Sequence, residues 1–178
     1  MWAIVGDGLT LEPQTAAHAE QMFAVLSDPA IYQYENKPPP SLEWLHERYA
    51  KLESRRSADG REQWLTWVIR LPTSELAGYV QATVDPDRRA SIAYELSSAY
   101  WGRSIARRAV QAMIAELVAR YRVHTVTAVL KGDNLRSRRL LERLGFVLAS
   151  ANLHAKHAVE ADELLMQREV SAVETGAP

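Results

Sequence analysis

The stretch AYWGRSIARRAV, Ala99–Val110, decides the fold of this chain. Apolar residues recur at helical spacing from Ile105 onward, and the residues before the stretch alternate as in a strand. The first N–H groups of a helix have no internal partner, and the helix dipole adds partial positive charge there. Arg107 and Arg108 place further positive charge in the first turns. The stretch therefore predicts a site for an anion such as phosphate.

The charge of the surrounding segment supports this interpretation. The whole chain has a formal net charge of -1. From Arg103 to Arg143, however, there are ten Lys/Arg and three Asp/Glu, against eleven and nineteen in the rest. A local excess of this size can mark the contact surface of an anionic partner, although solvated helix faces give the same composition.

Composition and length narrow the class of protein. The chain has 178 residues, 47% of them hydrophobic and 24% charged, and it contains no cysteine. These values suit one soluble domain without disulfides or thiolate chemistry. No apolar run is long enough to span a membrane, and the first residues do not form a secretory signal. We expect a cytoplasmic protein with one domain over residues 1–170 and a frayed tail over 171–178.

The residue pattern predicts alternating helices and strands in an α+β order. The first half contains two helices and four strands: strand Leu9–Pro13, helix Thr15–Leu26, helix Leu42–Ser54 and strands Leu65–Leu71, Leu76–Val84 and Ser91–Ser97. The second half adds helix Ile105–Tyr121, strand Val123–Leu130, helix Leu135–Leu144 ended by Gly145, and strands Val147–Ser150 and Glu163–Glu169. This order predicts a mixed sheet with one central strand–helix–strand crossover.

A second motif, NLRSRRLLERLGF, covers Asn134–Phe146 after the next strand. Together with YELSSAYWGRSIARRAV it resembles the GNAT superfamily of N-acetyltransferases, and it looks most like the branch of ribosomal-protein N-terminal acetyltransferases. The resemblance covers nearly the whole chain. It implies the GNAT fold: a mixed, mostly antiparallel twisted sheet, helices on both faces, and a splayed central strand pair.

The resemblance also implies a cofactor and its site. The family binds acetyl-coenzyme A where the two central strands splay, with the pyrophosphate on backbone amides of the loop Gln/Arg-x-x-Gly-x-Gly/Ala. Trp101 to Ala106 occupy that pattern, with Trp101 in the first position. No metal is implied. The residues expected to bind the cofactor are Leu96, Ser97, Gly102, Arg103, Ser104, Ile105, Ala106, Arg107, Asn134 and Ser137.

Ser104 departs from the family pattern, which has glycine in the middle of the loop. Glycine lets the backbone approach the phosphates closely. Serine can do the same if its φ is negative, and its hydroxyl could donate a hydrogen bond. We expect weaker binding if φ has to be positive. Ser is also a common helix N-cap, so its presence alone proves no ligand.

The resemblance implies acetyl transfer to a primary amine by direct attack in a ternary complex. Leu141 stands where many relatives have a proton-donating Tyr, and Ser137 matches the Ser that takes this role in the resembled branch. Asn134 would contact the pantetheine arm. Ser91 stands at the position of a common base, so Glu95, on the same face of the strand, is the candidate base.

The acceptor class follows only weakly from the residues. A lysine amine is roughly 0.04% neutral at pH 7, whereas an α-amine is about 10% neutral. A site with a weak or water-relayed base therefore favours an α-amine, of a protein N-terminus or a small molecule.

Two other functions remain open. Ser91, Ser104 and Leu141 each depart from a familiar functional position, which would suit a cofactor-binding or regulatory module without catalysis. An acidic cleft, to which Glu12, Glu35 and Glu43 could contribute, would favour an aminoglycoside-type acetyltransferase.

Other partners are less favoured. The pair His154 and His157 has metal-ligand spacing but no third ligand nearby. The basic segment lacks interleaved aromatic residues, which makes a nucleic-acid partner unlikely. A monomer and a homodimer are both compatible with the sequence.

Overall fold

The computed structural model describes residues 1–34, 36–157 and 159–171. Its strands are Ile4–Gly6 (β1), Leu9–Pro13 (β2), Gln63–Arg70 (β3), Leu76–Val84 (β4), Arg89–Leu96 (β5), Thr125–Lys131 (β6), Val147–Leu148 (β7) and Glu163–Glu169 (β8). Its α-helices are Ala19–Leu26 (α1), Leu42–Leu52 (α2), Ile105–Tyr121 (α3), Leu135–Arg143 (α4) and Ala151–Lys156 (α5).

The strands form one sheet in the order β1-β2-β3-β4-β5-β6-β8-β7. Neighbouring strands are antiparallel except β5 and β6, which α3 joins as a parallel pair. That pairing covers only Arg89–Ser91 against Thr125–Thr127. Beyond it, β5 stays paired with β4 as far as Leu96, and β6 stays paired with β8 as far as Lys131. The two central strands therefore diverge, and the expected splayed pair is confirmed.

Helices cover both faces of the sheet. On one face, α3 buries Val110, Met113 and Leu117 against a core that includes Trp67. On the other face, α1 and α2 pack around Val68, with Met22 and Leu45 among the buried side chains. Because successive strand residues point to opposite faces, the adjacent residues Trp67 and Val68 belong to different cores. This arrangement confirms the predicted α+β class.

Most predicted elements are present, with small shifts at their ends. The bounds of β2, β4, α3 and β8 agree with the sequence pattern. The predicted helix from Thr15 begins as a 3-10 turn, Ala16–His18, and the predicted strand after Phe146 keeps only two residues. Neither β1 nor α5 was predicted. That residues 1–170 form a single domain stays a prediction, and the expected tail lies outside the described residues after Ser171.

Gly78 allows β4 and β5 to approach closely beside the splayed gap. Its φ is +156°, and a Cβ atom added there would lie 2.0 Å from the carbonyl oxygen of Glu95 and 2.8 Å from Cα of Leu96. Both neighbours are backbone atoms, which cannot rotate away as a side-chain end would. Gly78 therefore fixes the position of the last residues of β5.

We expect Gly78→Ala to displace the end of β5 and to lower the free energy of unfolding by about 1–3 kcal/mol, as overpacking does. Chemical denaturation measures the loss. Gly60→Ala is the control, because Gly60 also has a positive φ (+71°) but its added Cβ would meet nothing within 4 Å. Equal losses in the two variants would contradict the role of the close approach.

Candidate active site

The loop that leads into α3 holds Ser104 in a left-handed conformation. Its φ is +58° and ψ is 11°, and its side chain makes no capping hydrogen bond. For a residue with a Cβ this conformation costs about 1–2 kcal/mol. Ser104 thus occupies the N-cap position of α3 without side-chain capping, and the loop keeps a glycine-like backbone despite the serine.

A cavity of about 580 Å³ lies between this loop and α4, and we call it the loop groove. Four arginines are among its lining residues: Arg107, Arg136, Arg139 and Arg143. Helical hydrogen bonding in α3 begins at Arg108, whose backbone N–H donates to Ser104 O at 3.1 Å. The N–H groups that precede it in the helix have no partner of this kind. The groove thus combines helix-end donors with four cations, a combination suited to phosphate groups.

The three arginines of the loop and first helical turns differ in their surroundings. Arg107 lines the groove, as expected. Arg108 donates to the carbonyl oxygen of Asp7, and the guanidinium of Arg103 lies 5.9 Å from the ring centroid of Tyr100. Of these three, only Arg107 lies in the groove wall. Gly102, Ser104, Ile105 and Ala106 line the groove as predicted.

Three of the four arginines that line the groove belong to α4: Arg136, Arg139 and Arg143. The guanidinium carbon of Arg136 lies 3.5 Å from the ring centroid of Trp101 and so stacks on the opposite wall. Arg138, by contrast, pairs with Glu142 one turn on at 2.9 Å. The helical period thus divides the arginines of α4 between the groove and the exposed surface.

Leu96 and Ser97 end the strand that borders the gap, and they differ in the direction of their N–H groups. Ser97 N donates to Ala77 O at 2.9 Å, so this group is already used by β4. Hydrogen-bonded and non-hydrogen-bonded pairs alternate in an antiparallel ladder. Leu96, which lies opposite Gly78, therefore points its N–H away from β4 and toward the splayed gap. Leu96 also lines the groove, whereas Ser97 does not.

A second cavity, of about 410 Å³, lies on the face of the sheet that carries α1 and α2, and we call it the sheet cavity. Its walls include six aromatic side chains: Tyr32, Tyr34, Trp44, Tyr49, Tyr79 and Tyr94. The two cavities share a set of lining residues that we call the junction: Ile31, Tyr34, Tyr94, Glu95, Asn134 and Ser137. Two molecules bound in the two cavities would meet there.

Ser137 and Asn134, both predicted site residues, lie in the junction with a partner that the sequence argument missed. Asn134 caps α4 by accepting a hydrogen bond from Ser137 N at 3.1 Å. The hydroxyl oxygens of Ser137 and Tyr94 lie 2.6 Å apart. Burial raises the pKa of Tyr94 to about 12. Tyr94 is therefore protonated at neutral pH, and its hydroxyl can donate to Ser137 Oγ.

Glu95 enters the junction from the opposite side of β5. Asn36 Nδ2 donates to its carboxylate at 3.1 Å. The pKa of Tyr79 is raised by burial first, then by the charge of Glu95, to which its hydroxyl is hydrogen-bonded. Burial and the Glu95 charge raise the pKa of Tyr49 as well. The carboxylate thus faces the tyrosines of the sheet cavity, where it can accept a proton from a bound amine.

One carboxylate anchors the loop that forms the junction wall. Asp28 accepts hydrogen bonds from Ala30 N at 3.0 Å and from Ser98 N at 2.7 Å. These contacts, chiefly those with Ser98, lower the pKa of Asp28. They tie the turn that carries Ile31 to the segment just after β5. The wall of the junction is thereby fixed to the strand that bears Glu95.

Three carboxylates were considered for an acidic cleft: Glu12, Glu35 and Glu43. None of them is among the described residues that line the sheet cavity. Glu12 binds Arg70 through both oxygens, at 2.7 and 2.9 Å, and also contacts His18. Glu43 does not line the sheet cavity, and Glu35 lies outside the described residues. Among the described lining residues of that cavity, Glu95 is the one carboxylate, beside Lys37 and Arg48.

His154, considered above as a metal ligand, accepts a hydrogen bond from Leu165 N at 3.2 Å. Within residues 1–34, 36–157 and 159–171, no group of three or more His, Asp or Glu side chains converges as a metal site requires. In the same ranges, no helix is both long and apolar enough to cross a membrane.

Comparison with known proteins identifies the family to which the chain belongs. Residues 8–147 match the model of the acetyltransferase (GNAT) domain. The N-acetyltransferase YoaA of Bacillus subtilis (strain 168) is 26% identical over 143 residues, which are 79% of this chain and 80% of that protein.

Solved structures agree in fold. RimL, a ribosomal L7/L12 α-N-protein acetyltransferase solved in complex with coenzyme A, superposes with a TM-score of 0.79 at 20% identity, covering 96% of this chain and 99% of that one. The ribosomal-protein-S5-alanine acetyltransferase of Vibrio fischeri gives 0.76 at 18% identity, covering 94% and 96%. The chain belongs to the GNAT acetyltransferase family. It is an N-acetyltransferase, which transfers acetyl groups from acetyl-coenzyme A to amines.

The left-handed backbone of Ser104 predicts the effect of substitution there. Ser104→Gly removes the cost of the positive φ, and we expect it to raise the melting temperature and to keep or tighten coenzyme A binding. Ser104→Ala is the matched variant, since it lacks the hydroxyl but keeps the Cβ. Calorimetric titration with coenzyme A compares them. Loss of affinity in both variants would show instead that the hydroxyl is itself a ligand.

Proposed function

We propose that this enzyme acetylates an α-amine, of a peptide N-terminus or a small molecule, by direct attack in a ternary complex. The observation that carries the proposal is the junction, where the loop groove and the sheet cavity meet at Tyr94, Glu95 and Ser137. One cavity would hold the cofactor and the other the amine, so both reactants would be bound together.

The loop groove fits acetyl-coenzyme A in the chemistry of its donors. Backbone N–H groups at the start of α3, with Arg107 and the arginines of α4, would hold the phosphate groups. Asn134 and Leu96 lie further along, toward the junction. The bound cofactor supplies an activated acetyl thioester. The N–H of Leu96 would donate to its carbonyl oxygen, which becomes more negative during the reaction.

Glu95 and the hydroxyl pair act from opposite faces of β5. Glu95 would take the proton of the incoming amine, directly or through water, from the side of the sheet cavity. Tyr94 donates to Ser137 Oγ and leaves the Ser137 hydrogen free for the leaving sulfur. Because burial holds the pKa of Tyr94 near 12, this donor is retained across the neutral range.

The other functions weighed from the sequence have less support. An aminoglycoside acceptor carries several cations, and the described wall of the sheet cavity offers one carboxylate beside two cations. A module without catalysis would not need an arginine-lined groove and an aromatic cavity that open onto the same hydroxyl pair. Leu141 is buried and lines the sheet cavity without a donor, and in the proposed mechanism the hydroxyl of Ser137 would take that role.

Ser137→Ala removes the hydroxyl that faces the leaving group. We expect kcat to fall by roughly 10²-fold or more, as loss of a general acid does, with coenzyme A affinity nearly unchanged. Tyr94→Phe should lower kcat less, because Ser137 keeps its own hydrogen. Steady-state kinetics with an amine panel tests both. Parent-like kcat in Ser137→Ala would remove it from the mechanism.

Acetyl-coenzyme A should stabilise the parent protein against heat. At 100 times its Kd, a ligand adds about 2.7 kcal/mol to the free energy of unfolding. For a domain of this size that is roughly 5–10 °C in melting temperature. Adenosine, which lacks the phosphates, should give no shift. No shift at millimolar acetyl-coenzyme A would contradict the assignment of the loop groove.

A further inference from the structure

Gln14 places an unused donor at the far end of the sheet cavity. Its side chain lines the cavity and is 2% exposed. Its backbone is fully engaged, since Gln14 N donates to Thr66 O at 2.9 Å and Gln14 O accepts from Arg55. The side-chain nitrogen Nε2, however, has no hydrogen-bond partner among the described residues.

An unpaired donor at this depth is unusual. Buried polar groups in native proteins are nearly all hydrogen-bonded, because leaving one unpaired forfeits its interaction with water. An apolar side chain of the same length would fill the position without that loss. The retention of an amide at the cavity wall therefore points to a ligand that supplies the missing acceptor.

Gln14 belongs to a polar row across the cavity floor. Thr66 lies opposite Gln81 in the sheet, and Gln81 lies opposite Ala93. Residues directly opposite each other share a face, so Gln14, Thr66 and Gln81 all line the same cavity. The row runs from β5, next to Glu95, outward to the end of β2.

The charges of the wall restrict what can lie along this row. Lys37 and Arg48 are its cations, and Glu95, at the junction, is its one carboxylate among the described lining residues. An acceptor with a second cation remote from its amine would find no anion to pair with. An oxygen at that place would find the N–H groups of Gln14.

We propose that Gln14 forms a remote specificity subsite, which binds a carbonyl or carboxylate oxygen of the acceptor far from its reacting amine. This inference rests on the proposed function. Gln14 lies three strands and two residues from Glu95, so with strands about 4.8 Å apart and a rise of about 3.4 Å per residue their α-carbons are roughly 16 Å apart. An extended chain covers about 3.3–3.6 Å per residue, and the side chains of Gln14 and Glu95 span part of the distance, so the oxygen lies about three or four residues from the amine.

Three acceptors and one variant test the subsite. Alaninamide carries only the α-amine and its neighbouring amide, trialanine amide adds remote carbonyls, and N-pentyl alaninamide adds similar length without them. We expect the parent to acetylate trialanine amide with a kcat/KM about tenfold above the other two, as one net hydrogen bond allows. Gln14→Met keeps the side-chain length without the donor, and we expect it to lose this preference while retaining parent kcat/KM for alaninamide.

Stability separates a ligand-binding role from a structural one. If Nε2 serves the acceptor, Gln14→Met should melt at the parent temperature or above, because an unpaired buried amide has been removed. Gln14→Leu, also without the donor, provides a second variant if Gln14→Met does not fold. A similar decrease in kcat/KM for all three acceptors, or an unchanged preference for trialanine amide, would overturn the inference.

The outcomes also distinguish this inference from the function it rests on. A parent protein that binds acetyl-coenzyme A but acetylates none of the three amines contradicts the proposed function and this inference with it. Acetylation of all three amines with equal kcat/KM leaves the proposed function intact and overturns the subsite alone.

Discussion

The active site depends on the early end of one strand pairing. β5 and β6 are paired only from Arg89 to Ser91, after which each strand keeps its other neighbour and the gap between them opens. In an ordinary sheet, hydrogen bonds between β5 and β6 would continue along the whole length of the two strands. Here the edge of β5 stays open, so the N–H of Leu96 faces the gap and cavities on the two faces of the sheet can meet.

Strand geometry also separates the two groups to which we assign the proton transfers in the proposed mechanism. Neighbouring residues of a strand point to opposite faces, so Tyr94 and Glu95 reach the junction from different sides. Tyr94 meets Ser137 of α4, while Glu95 faces the tyrosines and Asn36 of the sheet cavity. In the proposed mechanism, this alternation would place the base beside the amine and the donor beside the leaving group. The arginines of the loop groove add charge where a cofactor with several phosphates would lie.

Some features of the fold and the site could be predicted from the sequence, and others could not. The helix after the loop and the face of the strand on which Glu95 lies could be predicted, because each depends on local spacing. β1 was missed although Asp7–Gly8, a common hairpin turn pair, separates it from β2, and both residues have positive φ. Tyr94 was missed because its partner lies 43 residues further along the chain. The sequence placed Arg103 and Arg108 at the anion site, whereas in the structure Arg103 lies over the ring of Tyr100 and Arg108 donates to Asp7 O. Local spacing does not tell which distant ring or loop a cation will contact.

The sequence by itself determined the order of elements and predicted an anion-attracting helix end. These follow from hydrophobic period, capping chemistry and residue type, which act over a few neighbouring residues. The family was indicated by the resemblance of the two motifs to known proteins. Only the tertiary structure decided which arginines line the groove, that Tyr94 contacts Ser137, and that Gln14 lies buried with a side-chain donor unpaired among the described residues. Those features depend on contacts between residues distant in the chain, and such contacts are set by how strands and helices pack.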